Sequence, residues 1–178
     1  LSYAQVGVLL GLPSIVGNLV EPALGILGDV WKRRVLILGG GVVFALTLAL
    51  TAASNSFFLL LAAFILLSPA SGALVDLSQA TLMDLDPARH EQSMARWTFA
   101  GSVGVVAGPL ALGAAAALGL GWRGLFAAFA VLTVVVLLIV WRQRFPPVHP
   151  EATATTFRAG LANAGAALRR REVLRWLT

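Results

Sequence analysis

The side chains best able to do chemistry in this sequence are four carboxylates that form two equally spaced pairs. Glu21 precedes Asp29 by eight residues, and Asp76 precedes Asp84 by eight residues. On a helix, which rises about 1.5 Å per residue, the first member of each pair lies about 12 Å from the second. Both first members stand in long apolar runs. There the charged form of a carboxylate is disfavoured, so a proton can be exchanged near neutral pH.

We predict that Glu21 or Asp76 takes part in binding a substrate or a proton. Asn18 and Gln79 could add hydrogen bonds to the same site. The alternative is a neutral, protonated acid bonded to a neighbouring backbone group, and for Glu21 the two interpretations have equal weight.

No other set of residues predicts catalysis or a bound cofactor. His90 and His149 are single histidines, so no metal site is expected, and the chain has no cysteine. No Ser/His/Asp set or phosphate-binding loop occurs in a suitable context, since Gly39-Gly40-Gly41 lies within an apolar run. The sequence therefore predicts neither an enzyme nor a cofactor.

The elements that must position the acids are membrane-spanning helices. The 178 residues are 58% hydrophobic and 12% charged, whereas soluble domains carry about 25% charged residues. Five segments reach the roughly 20 apolar residues that span a bilayer, and unpaired backbone groups are too costly in lipid for them to be anything but helices. They are Val6–Leu27, Val35–Ala53, Phe57–Met83, Trp97–Leu118 and Trp122–Val140. The predicted fold class is an all-α membrane protein with five transmembrane helices.

The cations alternate along the connectors. Gly28–Arg34, Asp84–Arg96 and the segment after the last span are rich in Arg and Lys, whereas Ser54–Ser56 has none and Gly119–Gly121 has only Arg123 nearby. The positive-inside rule places the rich connectors in the cytoplasm and the first residues outside. The same placement explains the net charge of +5 without a nucleic-acid partner, so the lipid bilayer is the expected partner.

Residues 142–178 differ in composition from the spans. Phe145–Thr156 is rich in proline and typical of a flexible linker. Phe157–Thr178 has helical spacing and predicts either an amphipathic surface helix or, in the interpretation we prefer slightly, the start of a further span. The chain begins with Leu1, which we interpret as the start of a truncated reading frame.

Several short motifs resemble those of the major facilitator superfamily. Gly25-Ile26-Leu27-Gly28-Asp29, followed by Arg33 and Arg34, resembles the motif Gly-x-Leu-(small)-Asp-Arg-x-Gly-Arg-(Arg/Lys) between the second and third helices of that family. Gly104-Val105-Val106-Ala107-Gly108-Pro109, with Gly113, resembles the fifth-helix motif of its antiporter branches. Gly121-Trp122-Arg123 is similar to the opening of a sixth helix in drug-efflux members, and Ser71-Gly72-Ala73 and Met83-Asp84-Leu85 are similar to the fourth helix.

This resemblance covers essentially the whole chain. It implies a partial N-terminal six-helix bundle, in which residues 1–141 are helices two to six and residues 142–178 are the cytoplasmic central loop and the start of helix seven. Helix one and the C-terminal half would then be missing. The implied function is transport of a small solute by alternating access, as proton-coupled export, in a multi-pass protein of the plasma (inner) membrane.

The resemblance also implies a shared role for Asp29, Arg33 and Asp84. In the family, this Asp pairs with the loop Arg and with a fourth-helix carboxylate, and it meets the N-terminus of a helix in the other half. That contact can latch the outward-facing state. Gly25 and Arg34 belong to the same motif. The simpler alternative is an interfacial Asp that reaches water, beside cations that only hold the loop inside.

The sequence departs from the family pattern in the loop and in the fourth helix. Val30 stands where the family prefers Arg, and Lys32 stands where it prefers Gly. Phe64 lies near the place of an Arg found in many antiporters, which weakens the expectation of standard proton coupling. Because fourth helices line the cavity of the family, the resemblance favours Asp76 over Glu21 as the binding acid.

Three glycines of the fifth-helix motif, Gly104, Gly108 and Gly113, lie on one helix face. Close helix packing is enough to explain them, and with Pro109 they could also let the helix bend. Leu112 replaces the first Gly of the closing pair in the motif.

Two classes of function therefore stay open. The first is a transporter that moves a small-molecule substrate, with protons as the coupling ion and with a second half of the same transporter as partner. The alternative is a five-span membrane anchor or interaction module that does not transport.

Overall fold

Five long helices make up the part of the chain that the computed structural model describes, which is residues 2–143 together with residues 145 and 159. All five are long and apolar enough to cross a membrane, and the described residues contain no strand. The predicted all-α membrane fold with five transmembrane helices is confirmed. The helices are α1 (Tyr3–Val30), α2 (Arg33–Ala53), α3 (Phe57–Leu85), α4 (His90–Ala117) and α5 (Gly121–Arg142).

The connectors at the basic ends of the helices are shorter than the sequence predicts. Only Trp31 and Lys32 separate α1 from α2, and α4 begins at His90 rather than at Trp97, directly after a 3-10 turn over Pro87–Arg89. The predicted spans count only the residues that cross the hydrocarbon. A helix continues past that boundary because polar residues close the same backbone hydrogen bonds in the headgroup region.

The turn between α4 and α5 depends on two glycines. Gly119 has φ 69° and Gly121 has φ 62°, which are left-handed values that favour glycine. The N–H of Leu120 donates to the carbonyl of Ala115 at 2.9 Å, and the N–H of Gly119 donates to the carbonyl of Ala116 at 3.1 Å. These two bonds form a Schellman motif that ends α4 and reverses the chain.

The central helix of the bundle is α3, which packs against α1 on one side and α2 on the other, while α2 also packs against α5. Glycines permit these close approaches: a Cβ added at Gly40 would lie 2.6 Å from the Cβ of Ala73, and one added at Gly28 would lie 2.5 Å from a methyl of Leu77. The helix with the least packing is α4, whose only buried residue is Ala115.

Two arginines tie the antiparallel helices α2 and α5 together at their opposite ends. Arg34, in the first turn of α2, donates to the carbonyl of Trp141 at 2.7 Å. Arg123, in the first turn of α5, donates to the carbonyl of Ser54 at 2.7 Å and to Oδ1 of Asn55 at 3.1 Å. Each arginine thus satisfies a carbonyl that the end of the partner helix leaves unpaired. We call the end that holds Arg34 the basic end of the bundle.

The expectations for residues 142–178 fall outside the described residues, apart from Arg142, Gln143 and residues 145 and 159. They include the central loop, the flexible linker and the surface helix or further span.

Candidate functional site

A cluster of three charged side chains joins three helices at the basic end. The Arg33 guanidinium donates through Nη2 to Oδ1 of Asp29 at 2.9 Å and through Nη1 to Oδ2 of Asp84. Its Nε donates to the carbonyl of Gly28 at 3.0 Å. We call Asp29, Arg33 and Asp84 the Arg33 cluster. The structure brings together the three residues to which the family resemblance assigned a shared role.

Each member of the Arg33 cluster sits at the helix end that least favours its charge. Asp29 is in the last turn of α1 and Asp84 is in the last turn of α3, where the helix dipole is negative. Arg33 opens α2, where the dipole is positive. Pairing the opposite charges offsets this disadvantage. Because the cluster holds two carboxylates and one guanidinium, it carries one negative charge in excess.

Solvent exposure limits the strength of these pairs. The Arg33 side chain is 22% exposed, whereas those of Asp29 and Asp84 are 66% and 56% exposed. Ion pairs of exposed groups contribute about 0.2–1 kcal/mol each. The two ion pairs are therefore expected to contribute at most about 2 kcal/mol together.

The other residues of the loop motif lie elsewhere. Arg34 reaches the end of α5, and its guanidinium lies 5.8 Å from the ring centroid of Phe145. Gly25 lines a small cavity beside the Arg33 cluster, and a Cβ there would meet no atom within 4 Å. Lys32 makes no salt bridge or side-chain hydrogen bond with the residues that the structure describes.

Two cavities lie along α1 and α3 and share part of their walls. The large cavity, of about 550 Å³, is lined by residues of α1 and α3 together with Phe44 of α2. The small cavity, of about 210 Å³, extends from the same acids to Asp29 and Arg33. The residues common to both cavities are Glu21, Gly72 and Asp76.

Glu21 of α1 and Asp76 of α3 both lie close to the backbone of Gly72, which has no side chain. A Cβ added at Gly72 would lie 3.3 Å from Cγ of Glu21 and 3.4 Å from Oδ2 of Asp76. Gly17 makes room for the Ser68 side chain instead, since a Cβ there would overlap the Ser68 hydroxyl but would lie at an ordinary contact distance of 3.6 Å from Oε1 of Glu21. The two acids predicted to lie at equal depth are therefore neighbours, placed between the large cavity and the Arg33 cluster.

The two amides predicted to assist these acids do not line either cavity. Asn18 is exposed on α1, and Gln79 donates from Nε2 to Sδ of Met94 on α4 at 3.3 Å. The hydroxyl groups in the wall of the large cavity are instead those of Ser14, Ser68 and Ser71. Ser71 belongs to the Ser71-Gly72-Ala73 motif, but no sequence pattern points to Ser14 or Ser68.

The glycines of the fifth-helix motif show no close packing within the described residues. A Cβ added at Gly104, Gly108 or Gly113 would meet no atom within 4 Å, and Pro109 is exposed within α4. The packing that the sequence predicted for this face is thus not found between the five helices. The face stays open on the outside of the bundle.

Two aromatic residues contribute to the large cavity, and the sequence predicted neither as a site residue. Phe64 of α3 stands near the place of the family arginine, and Phe44 of α2 lines the same cavity. Among the described residues that line this cavity, the ionisable side chains are Glu21 and Asp76. In the described part of the chain, no group of three or more His, Cys, Asp or Glu residues could hold a metal ion.

Comparison with known families agrees with this architecture. The family model of the Major Facilitator Superfamily matches residues 1–178, the whole chain. Comparisons with curated proteins and with solved structures gave no significant match. The family match covers all five spans, both cavities and the Arg33 cluster, and the chain therefore belongs to the Major Facilitator Superfamily.

Proposed function

We propose that this chain belongs to a proton-coupled exporter of a small solute that works by alternating access in the plasma (inner) membrane. Members of the superfamily are transporters rather than enzymes. Export is proposed from the resemblance of the α4 and α5 motifs to efflux antiporters. Alternating access needs a second helical bundle that moves against the first, so the proposal includes a partner bundle facing the large cavity.

The observation that carries the proposal is the position of Glu21 and Asp76 in the wall shared by the two cavities. A small molecule in the large cavity would contact these acids directly. When the partner bundle closes over the large cavity, it would exclude water from that cavity. A carboxylate that loses water holds its proton more tightly, so closing and opening would load and release a proton at the substrate site.

Asp76 is the better candidate for the proton-binding acid. It lies on α3, which supplies more of the lining of the large cavity than any other helix. Its Oδ2 lies beside the backbone of Gly72, where no side chain separates it from Glu21. Glu21 then acts as the second acid of the site.

We further propose that the Arg33 cluster is the cytoplasmic gate of the transporter. The small cavity ends at Asp29 and Arg33, so the cluster lies on the path from the acids to the basic end. Its excess negative charge suits a contact with the positive N-terminus of a helix in the partner bundle. Such a contact would close the cytoplasmic side, and breaking it would open that side.

The test is transport of the solute in vesicles with and without a pH gradient. Asp76→Asn cannot exchange a proton, so we expect it to abolish the response of transport to the gradient. Glu91→Gln is the matched control, because Glu91 is exposed in the first turn of α4 and lines neither cavity. If Asp76→Asn keeps both transport and its pH dependence, the proposed proton site is wrong.

A further inference from the structure

An apolar groove lies along the α2–α5 contact, and we call it the α2–α5 groove. Its volume is about 350 Å³, within the range of about 300–1,000 Å³ typical of ligand sites. The described residues that line it are all apolar: Leu38, Val42, Ala45, Leu46, Val134, Leu137, Leu138 and Trp141. The groove plays no part in the proposed transport path, because it shares no residue with either cavity.

Both walls of the α2–α5 groove end in an arginine at the basic end. On α2, Arg34 precedes Leu38 by four residues, and on α5, Arg142 follows Leu138 by four residues. Residues four apart lie on one helix face, so each arginine extends the stripe that lines the groove. Arg34 also donates to the carbonyl of Trp141, the residue before Arg142, which fixes it at the groove mouth.

These two arginines have no carboxylate partner in the described part of the chain. The salt bridges found there involve Arg33 and Arg89 only. Two guanidinium groups at the same end of the groove, with no acid paired to them among the described residues, attract an anion. Trp141 lies beside them with 62% of its surface exposed, and an exposed Trp at a helix end marks the headgroup level of a bilayer.

We propose that the α2–α5 groove binds an anionic phospholipid of the cytoplasmic leaflet. An acyl chain lies along the apolar stripe between α2 and α5, and the headgroup phosphate lies between Arg34 and Arg142. Guanidinium groups bind phosphate through two parallel hydrogen bonds, which lysine cannot provide. Trp141 covers the junction between the acyl chain and the headgroup of the lipid. The positive-inside rule places this end of the bundle in the cytoplasmic leaflet.

The probe is a phospholipid with brominated acyl chains, which quenches tryptophan on contact. The chain is reconstituted in vesicles of phosphatidylcholine that contain a varied fraction of brominated phosphatidylglycerol or brominated phosphatidylcholine. The share of quenching due to Trp141 is the difference between the original chain and Trp141→Phe. Each cation near the surface favours an anionic lipid by about 1 kcal/mol. We therefore expect phosphatidylglycerol to half-quench Trp141 at an about 30-fold lower fraction than phosphatidylcholine.

Two arginine variants test the headgroup contact. Arg34→Gln with Arg142→Gln should remove the preference for phosphatidylglycerol. Arg142→Gln alone should reduce it to about fivefold, and it breaks no hydrogen bond within the described residues. The single variant therefore decides the question even if the double variant disturbs the end of α5.

The matched control removes two cations elsewhere at the basic end. Neither Lys32 nor Arg96 makes a salt bridge or side-chain hydrogen bond among the described residues. Lys32→Gln with Arg96→Gln should keep the preference. A separate variant, Val42→Phe, fills the groove without adding a tryptophan and should weaken quenching of Trp141 by both lipids. The proposal is overturned if the control loses as much preference as the arginine variants, if both lipids quench Trp141 equally, or if Val42→Phe has no effect.

Discussion

Two adjacent glycines of α2 offer a sharp test of the helix packing that shapes the cavities. A Cβ added at Gly40 would lie 2.6 Å from the Cβ of Ala73 and 3.3 Å from the backbone C of Ala73 and N of Leu74. A Cβ added at Gly39 would meet no atom within 4 Å. The same substitution, glycine to alanine, therefore has opposite steric consequences at neighbouring positions.

The comparison of the two variants isolates the steric effect. Alanine favours a helix over glycine by about 1 kcal/mol, and this gain is common to both positions. At Gly40 the added methyl meets the backbone of α3, which cannot move without separating the helices. Overpacking of this kind costs about 1–3 kcal/mol. We expect Gly40→Ala to have a free energy of unfolding about 1–3 kcal/mol below that of Gly39→Ala.

The measurement is reversible unfolding in mixed micelles with increasing fractions of a denaturing detergent, followed by circular dichroism. Gly39→Ala should be at least as stable as the original chain, and Gly40→Ala should unfold at a lower detergent fraction. Equal stability of the two variants would show that α2 and α3 do not approach as closely at Gly40 as the structure places them. The close α2–α3 contact would then be refuted.

Two further predictions concern arginines at opposite ends of the bundle. Arg33→Gln should speed the reaction of Ala80→Cys, a wall residue of the small cavity, with a membrane-impermeant maleimide added from the cytoplasmic side. The increase in the rate should reach at most about 30-fold, since two exposed ion pairs contribute up to about 2 kcal/mol. As the control, Arg89→Gln should leave the rate of maleimide reaction unchanged. If Ala80→Cys reacts equally fast with Arg33→Gln and with Arg89→Gln, the proposed gate is contradicted. Arg123→Gln should lower the free energy of unfolding by about 1 kcal/mol, because the carbonyl of Ser54 loses its donor, whereas an unchanged value would mean that water replaces Arg123.

The helices were predictable from the sequence because a membrane span depends on the apolar content of its own stretch of about 20 residues. Each of the five apolar runs became a helix, and Phe57 begins α3 as predicted. The failures are at the polar ends. The run His90–Arg96 is helical although five of its seven residues are polar or charged, since a helix needs only its own backbone bonds to continue. Counting apolar residues locates the boundary of the hydrocarbon core of the bilayer. The end of the helix can lie beyond that boundary.

The sequence predicts how deep in the membrane the residues of the candidate site lie, but not which side of each helix they are on. The eight-residue spacing placed Glu21 and Asp76 at one level, and the structure shows them on either side of Gly72. Spacing along the axis does not say which face of a helix meets a neighbour. For that reason Asn18 and Gln79 were assigned to the site and lie outside it, whereas Ser68 lines the cavity unpredicted. Their positions depend on the α1–α3 contact, which spacing alone does not specify.

Arg33 and Arg34 show how two neighbouring residues acquire separate roles. Successive residues of a helix point about 100° apart, since a turn takes about 3.6 residues. Arg33 consequently reaches Asp29 and Asp84 on the α1–α3 side, while Arg34 reaches the carbonyl of Trp141 on the α5 side. Both arginines belong to the first turn of α2. A movement of α1 and α3 that strains the Arg33 cluster would therefore also pull on the end of α5. The proposed gate and the proposed lipid groove share one helix, so an anionic lipid that holds Arg34 would also restrain the turn that carries Arg33.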